Sequence, residues 1–380
     1  MGPLTGTLVI SVEQALAVPL CTARLAEAGA RVIKIERQEG DFARGYDKAA
    51  KGASSYVTWV NQGKESLVLD FRTPEDAELL ERLVAKADVF IQNLAPGAMA
   101  RAGFGSERLR KAYPTLVTLD VTGYGDGAAT KALKAYDFLI QAESGLISVS
   151  GGENELGRIG VSICDIGAGM TAHAAVLEAL LLRDRTGNGA ALSVSLFDVA
   201  ADWMTVPLVH QEYGRAAPKR TGLKHPSMAP YGAFRTSEGA LTLISIQNER
   251  EWQRFCESVL GWEPGESDSR FASNNDRVAH RDDLEAIIGS VTSQLTQDEF
   301  MARLTAANVA FGRVNDVVAL GKHPALRRRP VTTEYGDKIT IPSCPIRWLE
   351  RESQSTLSAT PTVGQHSQMI REEFSALRNR

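Results

Sequence analysis

The feature that most narrows the choice of fold is a rhythm. Five β-rich apolar runs recur early in the chain: TLVISV (7–12), ARVIKIE (30–36), SLVLDF (66–71), DVFIQN (88–93) and TLVTLDVTGYG (115–125). Helical stretches separate them. CTARLAEAG (21–29) stops at Gly29, Thr73-Pro74-Glu75 caps and starts a helix to about Lys86, and another helix lies near Ser106–Tyr113. Strands alternating with helices return the chain to the same end of the sheet each time, so the sheet is parallel and covered on both faces.

The rhythm pauses and resumes. GAGMTAHAAVLEALLLRDRTG (167–187) reads as a long helix closed by a basic last turn and Gly187, and ALSVSLFD (191–198) as a further strand. From about 215 the texture changes. RAAPKRTGLKHPSMAPYG (215–232) is rich in Gly, Pro and basic residues and reads as a linker or functional loop. AFRTSEGALTLISI (233–246) reads as a hairpin turning at Ser237-Glu238-Gly239, and two helical segments follow, NEREWQRFCESVLG and HRDDLEAIIGSVTSQL. The expected division is a large domain at 1–200, completed by 321–380 with a terminal helix near 365–377, and a linker with a small α+β domain at 201–320.

Several chemistries lack their signatures. The first strand–helix connection, SVEQALAV, has no glycine to admit a pyrophosphate, and Gly123, Gly125 and Gly127 follow a later strand at the wrong spacing, which disfavours NAD or FAD. Neither Gly63-Lys64 nor Gly321-Lys322 completes a P-loop, and no G-x-S-x-G elbow occurs. The six histidines and the cysteines Cys21, Cys164, Cys256 and Cys344 show no metal-ligand spacing, so no metal site is expected. A net charge of −4 advertises no nucleic-acid surface. No secretory signal or uninterrupted membrane-length apolar run is evident, and residue 6 is Gly6 where myristoylation needs Ser or Thr. A cytoplasmic protein without membrane or nucleic-acid partners is expected.

What remains is VSICDIGAGM (161–170). Asp165 sits at the mouth of the longest helical pattern. Its commonest role there is an N-cap; the alternative is a nucleophile, kept ionised by the helix dipole, with Gly167 and Gly169 clearing its approach and offering N–H groups to an oxyanion. Cys164, among Val161 and Ile163, reads as a buried structural thiol, and His173 as a packed core or helix-face histidine.

Six stretches taken together resemble the family III CoA-transferases, the CaiB/BaiF group. They are AEAGARVIKIERQEGD (26–41), NQGKESLVLDFRTPE (61–75), ADVFIQNLAPGAMARAGF (87–104), KAYDFLIQAESGL (134–146), ICDIGAGM (163–170) and LLLRDRTGNGAALSVSLFD (180–198). The resemblance implies a Rossmann-like large domain, a small α+β domain and an interlocked homodimer. It implies that Asp165 is the acyl-accepting nucleophile, and that coenzyme A or acyl-CoA is a substrate while no cofactor is tightly bound. CoA contacts are implied at Ala15, Leu16, Ala17, Arg37, Leu69, Arg72, Asn93, Leu94, Arg101 and Lys134. Racemases of the same superfamily carry a histidine where this chain has Tyr136, which favours CoA transfer over the alternative, an acyl-CoA racemase or isomerase. A non-catalytic CoA-binding protein is a further alternative. Asp137 beside Tyr136 is a candidate for positioning Asp165 or a substrate. Arg220, Lys224 and His225, with Lys219, are candidates for binding a second carboxylate on a dicarboxylic acceptor, with succinyl-CoA as a possible donor. The glycine run that closes over the nucleophile in some members is replaced here by RTGLKHPSMAPYG (220–232).

Overall fold

Alternate side chains of the early strands are apolar on both faces, and the chain covers both. A computed structural model describes residues 2–131, 133–214, 216–262, 268–349 and 357–375. Strands β1 (Leu8–Val12), β2 (Arg31–Glu36), β3 (Lys64–Val68), β4 (Val89–Gln92), β5 (Val117–Thr122) and β6 (Ala191–Ser195) form one six-stranded parallel sheet in the order β3-β2-β1-β4-β5-β6. Strand order reverses between β1 and β4, so the loops leaving their carboxyl ends diverge and open a crevice there. This is the Rossmann-like order.

Period-two patterning divides the core into two layers. Val9, Val32, Ile91 and Leu119 face α1 (Ala17–Glu27) through Val18, Cys21 and Leu25, and α4 (Ile163–Thr186) through Ala168, Ala172 and Val176. Ile10, Ile33, Leu67 and Phe90 face the other way, onto Leu79, Leu80 and Leu83 of α2 (Pro74–Val84). Ile370 and Phe374 of the terminal helix Ser367–Ser375 join that second layer. Two further helices of this unit matter below, α3 (Asp137–Glu143) and α5 (Leu196–Trp203).

Contacts divide the chain into two units, one of Met1–Leu146, Ile159–Val206 and Arg327–Arg380, the other of Ile147–Arg158 and Pro207–Leu326. The second unit has its own antiparallel sheet, in which Leu241–Ser245 lies between Tyr231–Arg235 and Ala310–Arg313. Its core gathers Phe234, Trp252, Phe255, Phe271, Leu284, Ile288 and Phe300. Residues 147–158 leave the first unit for the second, an excursion that nothing in the hydrophobic pattern announces.

Three element boundaries differ from expectation, each for a local reason. α1 begins at Ala17, not Cys21, because Pro19 sits in the first turn, where its missing N–H costs nothing. The last strand ends at Ser195, whose hydroxyl accepts from Asp198 N at 2.9 Å and starts α5. The terminal helix spans Ser367–Ser375, with 376–377 outside the described residues, as is Arg215 at the head of the basic loop. Gly187 ends α4 with φ +74°, as its position suggested. Among the described residues α4 alone is long and apolar enough to cross a membrane. Its buried edge, Ala168, Ala172 and Val176, is packed in the core of this unit.

Two helical glycines separate packing from propensity. A Cβ at Gly169 would lie 2.5 Å from Ala17 O and 3.1 Å from Leu20 Cβ, whereas one at Gly289, in the helix Arg281–Thr292, meets nothing within 4 Å. Urea denaturation is expected to show Gly169→Ala destabilised by about 1–3 kcal/mol through overpacking. Gly289→Ala is expected to be neutral or stabilised by up to about 1 kcal/mol.

Candidate active site

Ile163, Cys164 and Asp165 form the first turn of α4, and Ser162 at its N-cap makes no side-chain cap. Asp165 is therefore not the N-cap that its sequence position suggested: its own backbone is already helical. The orphan N–H groups are met from elsewhere. Asp137 Oδ1, at the start of α3, accepts from Cys164 N at 2.7 Å and Asp165 N at 3.3 Å. Asp137 is buried, and its Oδ2 accepts from Gln141 Nε2 at 2.7 Å. Gln141 reaches on to Ile159, donating to its carbonyl at 3.3 Å and accepting from its N–H at 3.0 Å. The segment entering α4 is thus tied to α3 by one carboxylate and one amide.

This division of labour leaves the Asp165 carboxylate without a hydrogen bond from any described residue. Burial, and next the Asp137 charge, push its pKa up to about 7 from an ordinary 3.8. The helix dipole alone would hold the group ionised; here burial and a like charge outweigh it. The Cys164 thiol is fully buried and pushed up to about 12, chiefly by burial and then by Asp137, so it is no thiolate at neutral pH.

Gly167 and Gly169 serve a different purpose from the one expected. Both lie inside α4, past its first turn, where the N–H groups belong to the helix ladder rather than to a ligand. A Cβ at Gly167 would stand 2.3 Å from the Trp203 ring and 3.0 Å from Val199, both on α5. With Gly169 against Ala17 and Leu20, the pair lets α5 and α1 approach the helix that carries Asp165. They are packing glycines.

Aromatic rings complete the surroundings. The Tyr46 phenol is raised to about 12 by burial, then by the charges of Asp41 and Asp165, with Tyr136 and Tyr56 also acting on it. Tyr46 and Tyr56 meet edge-on at 5.5 Å, and Phe42 lies 5.7 Å from Tyr46. Tyr136 is largely exposed and precedes the helix that bears Asp137. Sequence reasoning found Tyr136 and missed Tyr46 and Tyr56; their only signal was proximity to the stretch ending at Asp41.

The remaining candidate positions collect at the carboxyl edge of the sheet. Ala15–Ala17 follow β1, Arg37 follows β2, Leu69 and Arg72 follow β3, Asn93, Leu94 and Arg101 follow β4, and Lys134 follows β5. Asn93 spans the switch point: its Oδ1 accepts from Gln14 N at 2.9 Å and its Nδ2 donates to Gln14 O at 2.9 Å. Arg37, Arg72, Arg101 and Lys134 are exposed. Arg72 pairs locally with Asp70 at 2.7 Å. Leu16, Ala17 and Leu69 are buried.

The basic loop of the second unit is spoken for internally. Arg220 donates to the carbonyls of Gly152 (3.1 Å), Ser148 (3.4 Å) and Glu153 (3.2 Å). Lys224 pairs with Glu285 at 2.5 Å, and His225 stacks on Tyr231 with centroids 5.1 Å apart. These contacts lie within their own unit, and Lys224 keeps 41% of its side chain exposed. Lys219 is exposed. Among the described residues no group of three or more His, Cys, Asp or Glu is arranged to hold a metal ion.

Comparison with known proteins bears on the family. The model of CoA-transferase family III matches residues 4–367. An acetyl-CoA:oxalate CoA-transferase of Acetobacter aceti is 31% identical over 378 residues, covering 99% of this chain and 96% of that protein. A succinate–glutarate CoA-transferase of Agrobacterium fabrum is 30% identical over 389 residues, with 99% and 96% covered. The crystal structure of a CaiB/BaiF family protein from Brucella suis superposes with a TM-score of 0.83 at 31% identity, covering 98% of this chain and 99% of that one.

The raised Asp165 pKa carries a stability signature. An acid whose folded pKa exceeds its unfolded one is bound to its proton more tightly when folded, so its ionisation costs stability as pH rises from 3.8 to about 7, and the full cost persists above. Asp165→Asn removes that cost. Thermal melts are expected to show the variant about equal to the parent at pH 4 and more stable at pH 8, by roughly 2–4 kcal/mol at most; a difference independent of pH would contradict the assignment.

Proposed function

Because this chain belongs to CoA-transferase family III, we propose that Asp165 is the group through which it moves CoA from an acyl-CoA donor to a carboxylic acid. One observation carries this reading: the Asp165 carboxylate stands in the first turn of α4 with its capping duty transferred to Asp137, leaving both oxygens unengaged by any described residue. A carboxylate that is buried and repelled is raised in free energy as an anion. Acylation makes it neutral and relieves both penalties.

The sequence of bonds follows. An Asp165 oxygen attacks the donor thioester carbonyl; the C–S bond breaks and CoA leaves as thiolate, giving a mixed anhydride. The thiolate attacks the aspartyl carbonyl, releasing the donor acid and forming an aspartyl-CoA thioester. The acceptor carboxylate attacks that thioester, expelling the thiolate and forming a second anhydride. Attack of the thiolate on the acceptor acyl carbon yields the new acyl-CoA and regenerates Asp165. Every step exchanges one activated acyl for another, so no nucleotide is consumed.

CoA is assigned to the carboxyl edge of the sheet. The backbone of Ala15–Ala17 and Leu69 and the side chains of Asn93 and Leu94 lie at or beside the switch point, and Arg37, Arg72, Arg101 and Lys134 offer exposed cations to the phosphates. The acceptor is assigned as a small dicarboxylic acid, supported by the oxalate and glutarate in the names of the relatives. Arg220, Lys224 and His225 have no part in this assignment.

The functional unit is a homodimer. The helix Thr205–Tyr213 buries none of its residues, and Val206, Leu208 and Tyr213 on it are exposed, as are Met170, Leu181 and Leu182 along α4. Exposed apolar side chains on each of these helices need a cover, and a second copy supplies it.

Steady-state assays with succinyl-CoA and a panel of mono- and dicarboxylates are expected to show transfer to dicarboxylates. Asp165→Ala is expected to lower kcat by at least ~10⁴-fold with an unchanged circular dichroism spectrum; full activity in the purified variant would sink the mechanism. Light scattering is expected to return twice the chain mass. Exchange of an α-proton with deuterated solvent in the absence of acceptor would point instead to an acyl-CoA isomerase.

A further inference from the structure

Beneath the carboxyl edge lies a group of charges that the reaction above does not use. Glu13, Lys34, Asp41 and Lys64 are each no more than 5% exposed. Lys64 Nζ donates to Glu13 Oε1 at 2.6 Å and to Pro19 O at 2.9 Å. Lys34 Nζ donates to Asp41 Oδ2 at 2.8 Å and to Asn61 Oδ1 at 3.2 Å, and lies 3.9 Å from Glu13. Glu13 Oε2 accepts from the Ser11 and Thr22 hydroxyls, each at 2.6 Å. Two positive and two negative charges balance inside the fold. Such a set is weak evidence for stability, because taking four charges out of water is expensive, and it invites a positional explanation.

The second oxygen of Asp41 supplies one. Asp41 Oδ1 accepts from Ala15 N at 3.1 Å and Ala43 N at 3.0 Å. Ala15 has φ +63°, in the left-handed region that an alanine enters only under constraint. It lies at the turn between β1 and α1, directly at the reversal of strand order. The residues that follow touch the helix of Asp165: Leu16 and Leu20 cluster with Ile166, and Ala17 O abuts Gly169. A path of contacts therefore runs from the Lys34–Asp41 pair, through a strained peptide, to the first turns of α4.

We infer that Asp41 is a positioning residue for the CoA subsite: aimed by Lys34, its carboxylate holds the Ala15 peptide in the left-handed turn and so presents the Ala15–Ala17 backbone to the ligand. The inference rests on the assignment of Ala15–Ala17 to CoA. A glycine, which enters the left-handed region freely, would make the Asp41 hold dispensable.

Calorimetric titration with coenzyme A itself, without turnover, tests this by a double-mutant cycle. Asp41→Asn is expected to weaken CoA binding by roughly 10-fold in the otherwise natural chain, and by less than about 3-fold when added to Ala15→Gly. An equal loss in both backgrounds, or no loss in either, overturns the inference, as does a parent enzyme that does not bind CoA. If Asp41→Asn alone does not fold, the Ala15→Gly/Asp41→Asn protein is expected to fold and bind; loss of the fold in both would show that Asp41 serves only the core, and would overturn the inference too. The readout involves no acyl transfer, so a failure here is distinguishable from a failure of Asp165 as nucleophile.

Discussion

One carboxylate between two backbone N–H groups organises this molecule. Asp137 caps the helix that carries Asp165, and that single arrangement fixes three things together. It satisfies two first-turn donors of α4, it ties α3 to the entry of α4 through Gln141, and it places a negative charge beside the candidate nucleophile. Had Asp165 capped its own helix, its oxygens would be engaged and its pKa held down. Moving the cap to a neighbour frees the group and raises its energy as an anion.

The rest of the site depends on where parallel strands change direction. The order β3-β2-β1-β4-β5-β6 opens a crevice at the ends of β1 and β4, and the chain fills its floor with polar pairs instead of glycines. Asn93 grips Gln14 from both sides, and Asp41 grips Ala15. A dinucleotide fold buys close approach to its first turn with glycine; this chain reaches an unusual backbone conformation at Ala15 with buried charge. Gly167 and Gly169 go instead to helix–helix contact beneath the candidate nucleophile.

Much of this was legible in the residues and some was not, for identifiable reasons. The α/β class followed from the alternation of β-rich runs with helical stretches, and both sheet faces are buried. Asp165 stood out because an acid at the start of an apolar helix has few alternative roles. Its true place in the first turn was invisible, since the residue that displaced it as cap lies 28 positions earlier in sequence. The same non-locality hid the Glu13–Lys64 and Lys34–Asp41 pairs, whose members look like ordinary surface charges until the strands are laid side by side. The partners of the basic loop were hidden in the same way: Arg220 and Lys224 look free in sequence, yet they reach Gly152 and Glu285 in distant segments of the second unit.

The central claim is that Asp165 itself becomes covalently linked, first to the donor acyl group and then to CoA. Mass spectrometry of the tryptic peptide spanning residues 159–183, after brief incubation with an acyl-CoA and acid quench, tests it most directly. The account predicts a CoA thioester on that peptide, localised to Asp165, discharged by hydroxylamine and missing from Asp165→Asn. Turnover with that peptide unmodified, or an adduct on any other residue, would contradict it.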